Sequence, residues 1–312
     1  MVVTGGAGFI GSHLVDALVA RGDRVRIVDN LVTGCRENIE QVADRVEFLE
    51  GDILDRDLLR SAFRGVDVVF HQAALASVPL SLERPLDVHT ACATGTLTVL
   101  EEARRAGVRR VVYAASSSLY GDQPFATNRE IDPPGPMSPY AVAKLAGEYY
   151  CQAFYHSYGL ETVCLRYFNV FGPRQDPDSP YSAVIPLFIT RLLSGRRPVV
   201  YGDGEQSRDF TYVANVVHGN LLAADAAQAV GRSFNVANGR STSLLQLLNA
   251  LRRLLRVGLA PEHQAPRAGE VRHSMADISL AQQFLGYEPP VDFEAGLAQS
   301  IDYYRSTLTV PS

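Results

Sequence analysis

Through the first half of the chain, short runs of β-branched and apolar residues alternate with stretches whose apolar positions recur at helical spacing. Residues 1–4, 25–29, 46–50, 66–71, 111–116 and 162–168 read as strands. Helices are predicted to start near Gly8, Asp55, Pro85 and Ser138. Strand and helix in regular alternation form βαβ units, and such units imply a parallel sheet with helices on both faces. After Phe168 the texture changes, because Pro173, Pro177, Pro180 and Pro186 break the chain into loops and short segments. The expected class is α/β: a doubly wound parallel sheet over 1–168, then a smaller mixed α/β lobe over 169–312, with a segment near 208–217 returning to the first unit.

At 312 residues with 46% hydrophobic and 20% charged, the chain can bury a large core. A formal charge of −5 argues against a nucleic-acid partner, which calls for a basic surface. Cys35, Cys92, Cys151 and Cys164 lie far apart without metal-ligand or redox spacing, so free thiols and no metal are expected. Only Met1, Val2, Val3 and Thr4 precede the glycine loop, which leaves no room for a signal peptide. No apolar run approaches bilayer-spanning length, so a cytoplasmic protein without a membrane partner is expected.

The glycine loop carries the first chemical signal. Gly6-x-Gly8-x-x-Gly11 follows a strand and opens a helix, the context in which backbone approaches a pyrophosphate and a helix N-terminus stabilises its charge. Asp29 closes the second strand, where a carboxylate accepts from ribose hydroxyls and repels a 2′-phosphate, so NAD is favoured over NADP. Asp52, after the third strand, is placed either to reach the adenine or to cap a helix near Asp55. The small residues Ala73 and Ala74 after His71-Gln72 suit a backbone passing close to a cofactor, and equally suit tight packing.

The second signal is Tyr140 and Lys144, four apart on a predicted helix and so on one face. A free tyrosine titrates at about pH 10. A nearby ammonium and a positively charged nicotinamide ring both favour its phenolate, making Tyr140 a candidate general base toward a hydroxyl. Ser116, at the carboxyl end of a strand, is placed to hydrogen-bond the reacting oxygen.

These strings together resemble one family. TGGAGFIGSHL (4–14), VDNL (28–31), HQAALASV (71–78), SSSLYGD (116–122), SPYAVAK (138–144), LRYFNVFGPRQ (165–175) and GDGEQSRDFTYV (202–213) make the chain similar, nearly end to end, to the extended short-chain dehydrogenase/reductases. Within them it looks most like the UDP-hexose 4-epimerases, and closest to the UDP-N-acetylglucosamine 4-epimerase branch. The resemblance implies a Rossmann fold and tightly bound NAD held by Gly5, Gly8, Phe9, Ile10, Gly11, Asp29, Asn30, Asp52 and Ile53. It assigns Gln72, Ala73, Ala74 and Tyr167, with Tyr140 and Lys144, to the same cofactor. Tyr140 would take the proton of a sugar 4-hydroxyl as hydride leaves C4, and the 4-ketose would turn over before hydride returns to its other face.

For the UDP-sugar, the resemblance implies that Asn169, Arg208 and Arg267 contact the diphosphate, while Val184 and Tyr201 lie along the uridine. Ser77, Ser117, Ser118, Gln175 and Glu270 complete the substrate set. Related dehydratases carry an acidic pair where this chain has Ser117 and Ser118, so elimination of water lacks its acid and base. Ser274 stands where glucose-restricted epimerases have tyrosine, which leaves space beside the sugar C2 substituent and predicts that acetylated UDP-hexosamines are accepted, alongside UDP-glucose and UDP-galactose. Cys92 stands where the family usually has asparagine, a departure that bears on the nicotinamide side of the site. Tyr149, Tyr150, Phe154, Tyr155 and Tyr158 give the helix after Tyr140 more aromatic surface than one face needs, and a homodimer through a four-helix bundle is expected. Another nucleotide-sugar oxidoreductase or dehydratase of the same family, and a non-catalytic NAD-binding regulator, are the alternatives.

Overall fold

The computed structural model describes residues 1–123, 127–177, 183–266 and 271–307. Its first half contains β1 (Val2–Thr4), α1 (Phe9–Arg21), β2 (Val25–Asp29), β3 (Val46–Glu50), α2 (Arg56–Ala62) and β4 (Val68–His71). Two short helices, α3 (Val78–Glu83) and α4 (Pro85–His89), lead through a π-helical turn at Thr90–Thr94 into α5 (Gly95–Ala106). β5 (Arg110–Ser116), α6 (Pro139–Tyr158) and β6 (Glu161–Tyr167) follow. The remainder is cut finer: β7 (Val170–Phe171), α7 (Val184–Leu193), β8 (Val199–Tyr201), β9 (Ser207–Arg208), β10 (Thr211–Tyr212) and α8 (Val213–Asp225). β11 (Arg232–Val236), β12 (Thr242–Ser243), α9 (Leu244–Leu255), β13 (Glu262–Gln264), β14 (His273–Ser274), α10 (Ser279–Leu285) and α11 (Phe293–Thr307) complete the order.

Seven strands form one sheet in the order β11-β6-β5-β4-β1-β2-β3, with every pairing parallel. Alternate residues of each strand face opposite helical layers. Val3, Ile27, Phe70 and Val112 join α1, α8 and α10 in one core. Their neighbours Val2, Val28, Val69 and Val111 join α2, α5 and α6 in another. Both faces are therefore buried, which is why these strands read as nearly continuous apolar runs. The order reverses between β1 and β4, so their carboxyl ends flank the crevice where open α/β sheets bind ligands.

Sequence periodicity had not marked the seventh strand, β11, which pairs with β6 from far along the chain. Near the expected return at 208–217, α8 packs beside α1 and over β5 and β6. A third core gathers Phe171, Ile189, Leu247 and Leu297 from β7, α7, α9 and α11, and Phe9 and Ile10 of α1 pack against it. Among the described residues, no helix is long and apolar enough to cross a membrane.

The sequence sets α6 locally. Ser138 caps it by accepting from the Ala141 amide at 3.2 Å, Pro139 occupies the first turn, and Gly159 ends it at φ +72°. Mid-helix Gly147 permits close packing on β5, because a Cβ there would lie 2.2 Å from the Tyr113 hydroxyl.

Candidate active site

The glycine loop lies between β1 and α1 at the switch point. Gly5 has φ +70°, and a Cβ on it would lie 2.7 Å from the Ala73 backbone. A Cβ on Gly11 would lie 2.0 Å from the Gly5 carbonyl oxygen. Gly8 caps α1 without a side-chain hydrogen bond, leaving the first-turn amides at Phe9 and Ile10 for an external anion. A dinucleotide pyrophosphate fits this bare, amide-lined cradle.

Asp29 is 7% exposed and organises the loop: Oδ2 accepts from the Ala7 amide at 2.9 Å and Oδ1 from the Leu31 amide at 2.8 Å. Each oxygen retains lone-pair capacity for a ribose hydroxyl. Asn30 donates to Asp52 Oδ2 at 2.8 Å, while Asp52 Oδ1 accepts from the Leu54 amide. The cap of α2 is Asp55, which accepts from the Asp57 and Leu58 amides, so the capping role open to Asp52 falls to its neighbour. Ile53 is buried against Gly95.

At the end of β4, two polar networks absent from the sequence reading fix the backbone beside the cradle. His71 Nδ1 lies 2.7 Å from Thr4 Oγ1 and Nε2 lies 3.0 Å from Thr96 Oγ1. Thr96 donates to the Cys92 carbonyl, so the imidazole proton belongs on Nε2 and Nδ1 accepts from Thr4. Burial, helped by the Lys144 ammonium, pushes His71 down to about 3 and keeps it neutral. In the second network Asn220 Nδ2 donates to the Tyr167 hydroxyl at 2.8 Å, Tyr167 donates to Gln72 Oε1 at 3.2 Å, and Gln72 Nε2 donates to Asn220 Oδ1 at 3.1 Å. The ring ties β4, β6 and α8 together. Ala73 and Ala74 lie directly beyond it; the Ala73 amide reaches Thr4 Oγ1 at 3.4 Å, and Ala74 packs near Cys92 and Tyr140.

The Tyr140 hydroxyl lies beside Ser116, whose side chain favours loss of the phenol proton. Ser116 Oγ is also 2.9 Å from Ser118 Oγ and accepts from the Ser118 amide, while Ser117 opens the 3-10 turn between them. Lys144 Nζ donates to the Ala114 carbonyl at 2.8 Å and lies 5.0 Å from the Tyr113 ring centre. In the structure the ammonium is thus directed at the strand backbone. Burial pushes Tyr140 above its ordinary value, the Cys92 thiol acts in the same direction, and the Ser116 side chain opposes them. The ammonium is itself pushed down by burial and faces the strand backbone. Cys92 is fully buried in the same cluster as Tyr140 and is directed at the Leu75 carbonyl.

Several proposed substrate residues have defined neighbours. Arg208 and Ser274 are register partners in the parallel pair β9–β14. Arg208 donates to the Ser207 and Arg272 carbonyls. Asn169, exposed at φ +32°, accepts from the Thr211 amide through its carbonyl. Gln175 donates to the Val170 carbonyl, and its buried Oε1 has no hydrogen-bond partner among the described residues. Val184 opens α7, and the Tyr201 carbonyl on β8 accepts from Gln206. Ser77 caps α3 by accepting from the Leu80 amide at 3.1 Å, which gives its hydroxyl a structural task. Arg267 and Glu270 lie outside the described residues. No cluster of three or more metal-ligating side chains occurs among the described residues.

Comparison with known proteins agrees with this geometry. The family model described as "NAD dependent epimerase/dehydratase family" matches residues 1–237. The chain is 39% identical over 310 residues to a UDP-glucose 4-epimerase of Mycolicibacterium smegmatis, covering 98% of both chains. Among solved structures it resembles the UDP-glucose 4-epimerase of Thermotoga maritima with UDP-glucose (38% identity, TM-score 0.94). It likewise resembles the UDP-N-acetylglucosamine 4-epimerase of Methanobrevibacter ruminantium M1 in complex with UDP-N-acetylmuramic acid (40% identity, TM-score 0.95). Each alignment covers 98% of both chains. With a matched glycine cradle, a Tyr140–Ser116 pair at the switch-point end of the sheet and end-to-end relatives, the chain belongs to the NAD-dependent epimerase/dehydratase family of enzymes and uses NAD.

Proposed function

We propose that the protein is a UDP-hexose 4-epimerase, acting on UDP-GlcNAc and UDP-GalNAc as well as UDP-glucose and UDP-galactose. The observation carrying this reading is Tyr140 beside Ser116 at the carboxyl end of β5, next to the glycine cradle at the switch point. Relatives that act on plain and on acetylated UDP-hexoses support both halves of the substrate range. Bound NAD supplies a hydride acceptor for the sugar carbon and, in its oxidised form, a positive ring that favours loss of the phenol proton.

Tyr140 exchanges its proton with the sugar 4-hydroxyl. Ser116 orients that oxygen, and Ser118 holds Ser116 in turn. Lys144, whose ammonium donates to the Ala114 carbonyl, would hold the nicotinamide ribose of bound NAD. Arg208, Arg267 and Asn169 hold the diphosphate; planar guanidinium groups suit this because they donate paired hydrogen bonds. Anchoring through the nucleotide leaves the sugar free to turn within the pocket bordered by Ser274, Ser118 and Gln175. In this reading residues 1–168, with the segment returning near 208–217, hold the cofactor, and 169–312 the nucleotide-sugar.

The protein is further read as a cytoplasmic homodimer. Its cysteines are free, and Val78, Leu82, Leu86, Val142, Tyr149 and Tyr158 are exposed on α3, α4 and α6. Incubating the purified protein separately with UDP-Glc, UDP-Gal, UDP-GlcNAc and UDP-GalNAc tests the function. Each is expected to give its 4-epimer without net absorbance change at the NADH wavelength. Stoichiometric NADH formation, or no product from any of the four, overturns it.

A further inference from the structure

We infer that Asp209 is a positioning residue that locks the strand bearing Arg208 and the strand bearing Ser274 into one unit, an inference resting on the reading that these two residues face the UDP-sugar. Asp209 has no exposed surface. Its Oδ1 accepts from the Asn238 amide at 3.0 Å and its Oδ2 from the Ala276 amide at 3.3 Å, and the nearby Gly239 and Arg240 amides also favour its charged form. Among the described residues, no basic side chain pairs with it. A buried carboxylate compensated only by backbone N–H groups is a poor device for stability alone, since an apolar side chain avoids the desolvation cost. It is well suited to fixing several separate backbone segments at once, because its two oxygens offer about four lone-pair sites.

The segments it collects carry the proposed substrate contacts. β12, β9 and β14 are two residues each and form one three-stranded sheet. Arg208 pairs with Thr242 on one side and Ser274 on the other. Strands this short have too few ladder bonds to define their own register. Asp209 immediately follows Arg208 and binds the Asn238 amide on the segment leading into β12 and the amide of Ala276 just past β14, closing the sheet at one end. Through it, a shift of the phosphate-binding arginine is also a shift of the residue bordering the sugar.

The test compares wild type with Asp209→Asn, which replaces one acceptor oxygen by a donor NH₂ facing amide donors. UDP binding by calorimetry and steady-state epimerisation of UDP-GlcNAc and UDP-glucose are measured on the NAD-loaded protein. The expected result is about tenfold weaker UDP binding and a comparable rise in KM, with kcat and NAD content nearly unchanged. The ratio of KM for the acetylated to the plain sugar is also expected to change, because Ser274 follows Arg208. A merely structural role would lower the active fraction, and so apparent kcat, while leaving UDP affinity and the KM ratio alone. If Asp209→Asn does not fold, Asp209→Glu keeps the charge, moves it by one methylene, and is expected to show the same KM and UDP defects. Wild-type protein that binds no UDP overturns the substrate reading together with this inference. Wild type and variant binding UDP equally, or a variant that loses kcat alone, overturns the inference and leaves that reading standing.

Discussion

Lys144 Nζ sits 2.8 Å from the Ala114 carbonyl oxygen, while Tyr140 on the same face of α6 lies beside Ser116, two residues further along β5. The ammonium braces the backbone beside the cofactor crevice; the phenol addresses the hydroxyl at the end of the strand. Burial raises the Tyr140 proton affinity and Ser116 opposes it; in the proposed mechanism the positive ring of oxidised NAD adds a charge that favours the phenolate.

Tyr140→Phe removes the proton acceptor without changing the shape of the pocket. Epimerisation is expected to fall by a factor of about 10² to 10⁴, with bound NAD and the melting temperature retained. Lys144→Met is expected to lose NAD retention together with turnover, since Nζ borders the crevice. Quantifying NAD released on denaturation alongside kcat separates the two variants. Turnover unchanged in Tyr140→Phe would end the catalytic assignment.

Two buried groups act on acid stability in opposite senses. His71, ordinarily near 6.5, is pushed down to about 3 by burial, so the unfolded chain binds the extra proton first. Its contribution is complete above about pH 6.5 and is progressively lost as pH falls toward 3. Asp209, ordinarily near 3.8, is pushed up to about 6, so its native state holds a proton that the unfolded chain releases. Its contribution is present below 3.8 and is lost as pH rises through 6. Denaturant unfolding at pH 7.5 and 5 should show a smaller acid-side loss in His71→Asn than in wild type, and a larger one in Asp209→Asn. The same pH slope in all three proteins would show that neither group keeps its perturbed state.

Much of this was readable before the fold, and the missing parts share a cause. β1 to β6, the glycine cradle and the Tyr140–Lys144 pair are local patterns, set by residues close in sequence. β11 begins with Arg232 and Ser233, a polar start that gives a five-residue run little strand signal, and its partner β6 lies more than sixty positions earlier. β9, β12 and β14 have two residues each, too few for any period to register. Asn220 and Asp209 sit in apolar or motif-rich surroundings, and their partners come from other elements, so nothing in their own neighbourhood announces a network. Tyr140 and Lys144 were placed on one helix face by spacing; what each touches depended on β5.

Ser274 borders the proposed sugar pocket with a small side chain, paired with Arg208. Ser274→Tyr is expected to reduce kcat/KM for UDP-GlcNAc and UDP-GalNAc by about tenfold or more, with a much smaller effect on UDP-glucose and UDP-galactose, because only the acetylated sugars need the space beside C2. Equal losses on all four sugars would remove Ser274 from the specificity argument.

Gly147 offers a purely structural check on the helix that carries the chemistry. A methyl group there would meet the Tyr113 hydroxyl at 2.2 Å, and Tyr113 in turn donates to the Lys144 carbonyl and lies under its ammonium. Gly147→Ala improves helix propensity by roughly 1 kcal/mol, yet overpacking costs about 1 to 3 kcal/mol, so net destabilisation is expected. Chemical denaturation measures the sign. A more stable variant would mean that α6 can move off β5 at little cost.

The proposed dimer makes the remaining prediction. Leu82 is 65% exposed, Leu86 79%, Val142 51% and Tyr149 52%, a concentration of apolar surface on α3, α4 and α6, the layer that also carries Tyr140. Large apolar patches on one face mark association surfaces, and a twofold axis through this one would set α6 against α6 and bury each patch under its copy. Wild type is expected to sediment as a dimer at micromolar concentration. Leu86→Glu, which places a charge within the patch and touches none of the proposed site residues, is expected to shift it toward monomer. If wild type sediments as a monomer, the exposed tyrosines need another partner; if the variant remains a dimer, the contact lies on a different face.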